Sequence, residues 1–331
     1  MLYLHGMGHF FPENIITNKF LEELDIGTTD EWILERVGIR TRHTVLPLDY
    51  IKMTKNRDIR AAPEASLYNH AQIGAAAARM ALEQAGIEKE DIGLLISGSS
   101  APYNVSPAEA ATVAAELEIE VPCFDLNSAC STFCMQINFL NKLKPEALPP
   151  FTLVVVPETS TLCMDYSDRS SAVLFGDASA AAVVSTTIPS RAALLASDYG
   201  TKPSDWDKVN VPRLDYFRQD GNAVQRFAIR KTTELLRQLI PSFPVKAERL
   251  KFIGHQANWG MLRTVCELTG IEEDNHWSNV VDFGNTAAAG APGVLSQHWH
   301  ELQAGDHVAI VVAGAGLSWS SLMLRVEEET Q

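Results

Sequence analysis

An α/β fold made of two similar halves is what this sequence predicts. Three observations carry that reading: short runs that are apolar throughout, helix-length runs between them, and recurrence of the pattern at a steady offset. Ile92–Ser97 (IGLLIS) and Leu153–Val156 (LVVV) have the length and continuous apolarity of strands buried on both faces. Ala71–Ala85 (AQIGAAAARMALEQA) reads as a helix stopped by Gly86. Ser106–Leu117 opens with Ser as N-cap and Pro at the first helical position, which predicts a helix from there. The N-terminus MLYLHGMGHFFPENI reads as a strand and a Pro-marked turn. The polar, aperiodic segment Leu46–Asn69 reads as a surface excursion. Alternation of such strands and helices predicts sheets covered by helices.

The recurrence is specific. Residues 86–101 resemble 244–259, aligning Gly98 with Gly254. CFDLNSACS (123–131) resembles DFGNTAAAG (282–290), aligning Phe124 with Phe283. LVVV near 153 resembles VAIVVA (308–313), and all offsets lie near 155–159 residues. Two α/β halves follow, residues 1–185 and 186–331, whose equivalent loops meet at one cleft.

Bulk properties exclude several classes. With 331 residues, 46% hydrophobic and 21% charged, the chain reads as an ordinary globular protein. No apolar stretch approaches the roughly 20 residues that cross a bilayer. The first residues lack the basic start and long apolar core of a signal peptide, so a cytoplasmic location is expected. Five cysteines without a CxxC suggest neither a disulfide framework nor a zinc site. A formal net charge of −14 argues against nucleic acid and anionic membranes as partners.

Three positions stand out chemically. Cys130 follows the short strand CFDLN and precedes STFCMQINFLNKL, where Phe133, Ile137 and Leu140 recur at helical spacing. A thiol at a helix N-terminus is a thiolate candidate, because the dipole and free N–H groups lower its pKa; position alone favours a buried structural cysteine. The other four cysteines lack this setting and read as small buried hydrophobes. His255 follows the strand KFIG and precedes NWGMLRTVCEL, so it either reaches a cleft or caps a loop. His298 and His300 flank Trp299 in a run read as a surface helix, and no metal is proposed. Asn285, in FGNTAAAGAPG, is either a turn residue or an amide donor to a developing oxyanion.

Taken together these segments resemble beta-ketoacyl-ACP synthase III. ACSTF around Cys130 is similar to that family's nucleophile turn, and GHQAN (254–258) and GNTAAAGAP (284–292) to its His and Asn loops. DEWILERVGIRTRH (30–43), SDRSSAVLFGDASAAAVV (167–184), QDGNAVQRFA (219–228) and AGAGLSWSSLML (313–324) extend the likeness through most of the chain. The resemblance implies a thiolase-like duplicated five-layer α-β-α-β-α sandwich, a homodimer, and CoA or phosphopantetheine thioesters as substrates without a further cofactor. It implies decarboxylative Claisen condensation through an acyl-Cys130 intermediate, with His255 and Asn285 as donors to the enolate oxygen. Backbone N–H groups of Cys130 and of residues 313–316 would hold the second oxyanion, and Asn258 would support the second substrate. Trp32, Arg36 and Arg169 match positions that contact the CoA nucleotide. Arg226 and Arg230, with Lys231 and Arg237 nearby, match the region that docks acyl carrier protein, and they would supply the basic patch this acidic chain needs.

The sequence departs from the family at three places. Thr132 stands where Gly is common. Gly260 stands where an Arg follows HQAN, and Arg263 one turn later is a candidate replacement. Val105 aligns with a bulky Phe that lines the primer pocket across a dimer interface. A smaller side chain there, with the 46–69 insertion, points to a specialised polyketide, biotin or other secondary-pathway enzyme that acylates poorly with acetyl groups. Acyl transfer to an O or N acceptor and the housekeeping initiator of fatty acid synthesis are the alternatives. A non-catalytic subunit or a papain-type hydrolase fits the intact Cys, His and Asn segments less well.

Overall fold

The computed structural model describes residues 1–328. Nine strands make the main sheet: β1 (Tyr3–Phe10), β2 (Ile92–Ser97), β3 (Cys123–Asp125), β4 (Phe151–Glu158), β5 (Ala178–Ser185), β6 (Ala192–Thr201), β7 (Leu250–Gly254), β8 (His307–Gly314) and β9 (Ser318–Val326). Their spatial order is β7-β8-β9-β6-β1-β5-β4-β2-β3. The joint between β1 and β6 is only two residue pairs, Tyr3 with Ala193 and Leu4 with Ala192. On either side of it the same pattern repeats. β2 and β4 pair parallel, β4 and β5 antiparallel, β5 and β1 antiparallel. β7 and β8 pair parallel, β8 and β9 antiparallel, β9 and β6 antiparallel.

Helices complete five layers. α2 (His70–Ala85) and α3 (Glu109–Leu117) cover one outer face. α4 (Thr132–Lys142) and α7 (Gly290–Gln297) fill the layer between the two halves of the sheet, in a core that holds Phe133, Ile137, Val294 and Leu295 against Leu4, Val154 and Ile310. α5 (Gly221–Leu239) and α6 (Trp259–Thr269) cover the other outer face. A further helix, α1 (Asp30–Val37), lies earlier in the chain. α2 starts in a capping box between Asn69 and Gln72 and stops at Gly86 in the left-handed conformation. Its alanine face lets it lie almost on β1: a Cβ on Gly8 would fall 2.0 Å from the Ala77 carbonyl oxygen. Strand β5 is buried along its whole length, as the apolar run requires.

Two expectations are corrected. α3 begins at Glu109, three residues after the predicted Ser106. Its cap comes from another element: the Asp125 carboxylate accepts from the N–H groups of Glu109 (2.8 Å) and Ala110 (2.9 Å). A tertiary acceptor outcompetes the local Ser-Pro signal. Segment 46–69 is no loose excursion either. It contains helices Leu48–Thr54 and Ala62–Ala65, with Ile51 and Ala62 fully buried. The buried Asn56 amide donates to the carbonyls of Leu162 (3.0 Å) and Met164 (2.9 Å), which anchors the segment beside the cleft.

Among the described residues no helix is long and apolar enough to cross a membrane.

Candidate active site

Cys130 lies in the tight turn between β3 and α4, as the local sequence predicts. Thr132 closes that turn. Its hydroxyl accepts from Ser128 N–H (2.8 Å) and donates to the Ala129 carbonyl (2.6 Å), so the departure from Gly costs no contact. Ser131 Oγ meets Ser318 Oγ at 2.8 Å, and Ser128 Oγ meets the Tyr199 hydroxyl at 2.9 Å. The turn is thereby pinned to β9 and β6 of the other half. Behind it stands Gly314, where a Cβ would approach Cys130 Cβ to 2.7 Å.

The thiol itself differs from expectation. Burial, followed by the negative charge of Glu158, pushes it up to about 12. The backbone N–H groups of Ala315 and Cys130 and the hydroxyl of Ser100 favour the thiolate, but they are outweighed. A helix start alone does not ionise a sulfur set beside a carboxylate and poorly solvated.

His255 follows β7 at the head of a buried loop. Burial lowers its pKa to about 4, so the imidazole is neutral, and its Nδ1 is buried without a hydrogen-bond partner. The adjacent Gln256, fully buried, ties this loop to the chain leading to Asn285. Its Nε2 donates to Gly254 O (2.8 Å), while its Oε1 accepts from Ser278 Oγ (2.8 Å) and Asn279 N–H (3.0 Å). Asn285 is stitched into the first half: its N–H donates to Leu174 O (2.9 Å) and its carbonyl accepts from Gly176 N–H (3.1 Å). Its side-chain oxygen accepts from Ala287 N–H (3.0 Å), so the group it offers to the cleft is the amide N–H2.

These three side chains line one cavity of about 420 Å³. Trp32, Arg36, Arg169 and Asn258 line it too. The Arg169 guanidinium sits over the Trp32 ring at 4.8 Å, and Arg36 lies 5.9 Å from it. Asn258 caps α6, its Oδ1 accepting from Met261 N–H at 2.7 Å. A smaller cavity of about 70 Å³ adjoins it at Cys130, sharing Phe175 and Phe217 with the larger one and walled further by Cys163 and Met164. The two Phe rings meet edge to face at 4.6 Å.

The remaining predicted residues lie elsewhere. Val105 is 76% exposed and lines neither cavity. Arg226, Arg230 and Arg237 share one face of α5. Lys231 does not join them: it turns toward the core side, paired with Glu234 at 2.8 Å and lying over the Trp319 ring at 4.4 Å. Arg263 pairs with Glu267 at 3.6 Å and lines a different depression, so it does not take the place of an Arg at Gly260. The run around Trp299 follows the end of α7 instead of continuing it. Trp299 is buried and His298 stacks on Trp277 at 4.4 Å.

Sequence reasoning missed Glu158, Ser100, Gln256 and Phe217. Only Glu158 carried a usable signal, a lone carboxylate ending the apolar run FTLVVVP at the strand terminus that faces the cleft.

Comparison with known proteins identifies the family. Residues 124–203 match the family described as 3-Oxoacyl-[acyl-carrier-protein (ACP)] synthase III, and residues 246–326 its C terminal part. Beta-ketoacyl-[acyl-carrier-protein] synthase III of Aquifex aeolicus is 30% identical, covering 97% of this chain and 98% of that one. The Sulfurovum protein of the same name is 28% identical over 96% and 94%. The crystal structure of the Aquifex aeolicus 3-oxoacyl-[acyl-carrier-protein] synthase III superposes with a TM-score of 0.86 at 28% identity, covering 98% of this chain and all of that one. The priming beta-ketosynthase of the R1128 polyketide pathway superposes at 0.83 with 25% identity, covering 100% of this chain and 97% of the other. With its strand order, its Cys, His and Asn loops at one cavity and its likeness spanning the full length, the chain belongs to the beta-ketoacyl-ACP synthase III family of thiolase-fold condensing enzymes.

Proposed function

We propose that the protein catalyses decarboxylative Claisen condensation of an acyl thioester primer with a malonyl-type thioester. The observation that carries this is the convergence of Cys130, His255 and Asn285 on one cavity, with a second, smaller cavity adjoining it at Cys130. Cys130 attacks the primer thioester and holds the acyl group in the smaller cavity, which splits one transfer into two easier steps. The malonyl thioester then enters the larger cavity and loses CO2. The neutral His255 imidazole and the Asn285 amide donate to the enolate oxygen, each contribution being worth about 3–4 kcal/mol. The carbanion attacks the acyl-Cys130 carbonyl, whose oxyanion the N–H groups of Cys130 and Ala315 receive. Thioesters of CoA or a carrier protein are the only co-reactants required. Trp32 and Arg169 form a stacked platform suited to adenine and phosphate. The Arg226, Arg230 and Arg237 face suits an acidic carrier protein.

For the primer, the reading rests on Val105. The space within one chain takes the first carbons of an acyl group, and a second copy presenting Val105 instead of Phe would leave room beyond them. A longer or branched primer and a specialised pathway follow.

Acyl-enzyme trapping tests the scheme. Cys130→Ala should abolish the acyl adduct, and His255→Ala should retain it while losing malonyl decarboxylation. An adduct surviving in Cys130→Ala would end the proposal. Intact-protein mass spectrometry with a primer panel tests the specificity, and a clear acetyl preference would overturn that part.

A further inference from the structure

A buried carboxylate whose charge reaches the nucleophile has no part in the scheme above. Glu158, at the end of β4, is fully buried. Its Oε1 accepts from Ser100 N–H (2.9 Å), Ser100 Oγ–H (2.9 Å) and Ala288 N–H (3.3 Å), and its Oε2 from Ser99 Oγ–H (3.1 Å). It therefore joins the loop after β2 to the loop after Asn285. Ser100 also lines the smaller cavity beside Cys130, and its hydroxyl favours the Cys130 thiolate. One hydroxyl thus bonds the buried carboxylate and shares a small cavity with the Cys130 thiol.

We infer that Glu158, acting through Ser100, is the proton acceptor that ionises Cys130 for acylation. This rests on Cys130 being the nucleophile. A hydroxyl has one proton and two acceptor positions, so Ser100 can accept from the thiol while donating to Glu158. In the step, the Cys130 S–H proton passes to Ser100 Oγ and the Ser100 proton passes to Glu158. The sulfur pair forms the bond to the thioester carbonyl carbon and the C–S bond to the carrier thiol breaks. Glu158 then returns its proton through Ser100 to the departing thiolate, which leaves as a thiol.

Charge explains why such a route is needed. Releasing the thiol proton to water would leave two mutually repelling anions, the Glu158 carboxylate and the Cys130 sulfur, in a poorly solvated site. That repulsion and burial hold the thiol high. Passing the proton to Glu158 keeps a single negative charge and only relocates it. Glu158 is suited to the exchange, since burial raises its own pKa to about 7, against the pull of its hydrogen bonds and of nearby His70. The titratable groups that face it are His70 of α2, Cys130, and Cys163 in the short turn after β4.

The test is single-turnover acylation of the full-length protein by acyl-CoA, read by intact mass between pH 5.5 and 9. Wild type should gain rate with pH through a limb near 7 and then level off. Glu158→Gln and Ser100→Ala should each slow acylation by about 10²- to 10⁴-fold at pH 7, and the limb should vanish. Ser100→Ala removes one hydroxyl and leaves Glu158 three other donors, so it guards against misfolding of the first variant. Acylation of either variant within threefold of wild type with the same limb would overturn the inference. So would a loss in both that is uniform at all pH values. Either result leaves an adduct on Cys130, whereas failure of the condensing scheme itself would be an adduct that persists in Cys130→Ala.

Discussion

Gly314→Ala tests how tightly the nucleophile is held. The backbone at Gly314 is not left-handed, so alanine is locally permitted and the whole effect is contact. The new Cβ would lie 2.7 Å from Cys130 Cβ, 3.2 Å from its N and 3.3 Å from its Cα. Bringing the first of these to ordinary contact at 3.4 Å takes about 0.7 Å of movement. All three atoms belong to the backbone or its first carbon, so no rotamer change relieves the clash. Neither side yields freely: Gly314 pairs with Ser318 in the sheet, and Ser131, next to Cys130, bonds the Ser318 hydroxyl. Overpacking of this kind costs about 1–3 kcal/mol of stability. The catalytic effect is larger, because displacement of a reacting group by about 1 Å costs about 10²-fold. Acylation of Gly314→Ala should therefore fall by one to two orders of magnitude on the order of that scale, while acyl-CoA affinity, set at Trp32 and Arg169, stays near wild type. Stopped-flow acylation and equilibrium binding separate the two. Acylation within twofold of wild type would refute the close-approach argument.

Other variants probe the remaining elements. Asp125→Ala removes the acceptor for two N–H groups of α3 and should cost about 0.5–2 kcal/mol in urea denaturation; no change would mean that solvent replaces the cap. His255, lowered to about 4, stays neutral at every pH above that. Malonyl decarboxylation by pre-acylated enzyme should then be flat from pH 8 down to 5, and an inflection near 6.5 that disappears in His255→Gln would contradict a buried neutral imidazole. Arg226→Glu with Arg230→Glu should raise the KM for a carrier-bound donor about tenfold at low salt, each exposed charge contributing about 0.2–1 kcal/mol. Acylation by acyl-CoA should not change, and equal effects on both substrates would argue against docking at α5. Trp32→Ala removes the ring under Arg169 and should weaken acyl-CoA binding by about 0.5–1 kcal/mol, measured by titration calorimetry.

Much of this protein was legible from local pattern. The strand Ile92–Ser97 and the helix ending at Gly86 follow from apolar runs and a left-handed stop, signals read within a few residues. The turn at Cys130 and the loops at His255 and Asn285 were recognisable because short polar motifs interrupt those runs. Segment 46–69 was misread because its anchors, Ile51, Asn56 and Ala62, are too sparse to make a period, and only their partners around Leu162 and Met164 reveal that they are buried. The start of α3 was misread because its cap, Asp125, is 16 residues away in sequence from Glu109.

The sequence alone determined the alternation of elements, their repetition, and which cysteine, histidine and asparagine stand at strand ends. Those are properties of neighbouring residues and of spacing. Tertiary structure decided the electrostatics. Whether the Cys130 thiol is raised or lowered depends on how much water surrounds it and on Glu158, which lies 28 positions along the chain but close enough in space for its charge to act on the thiol. Burial and through-space charge act over distances in the fold, and no local motif encodes them.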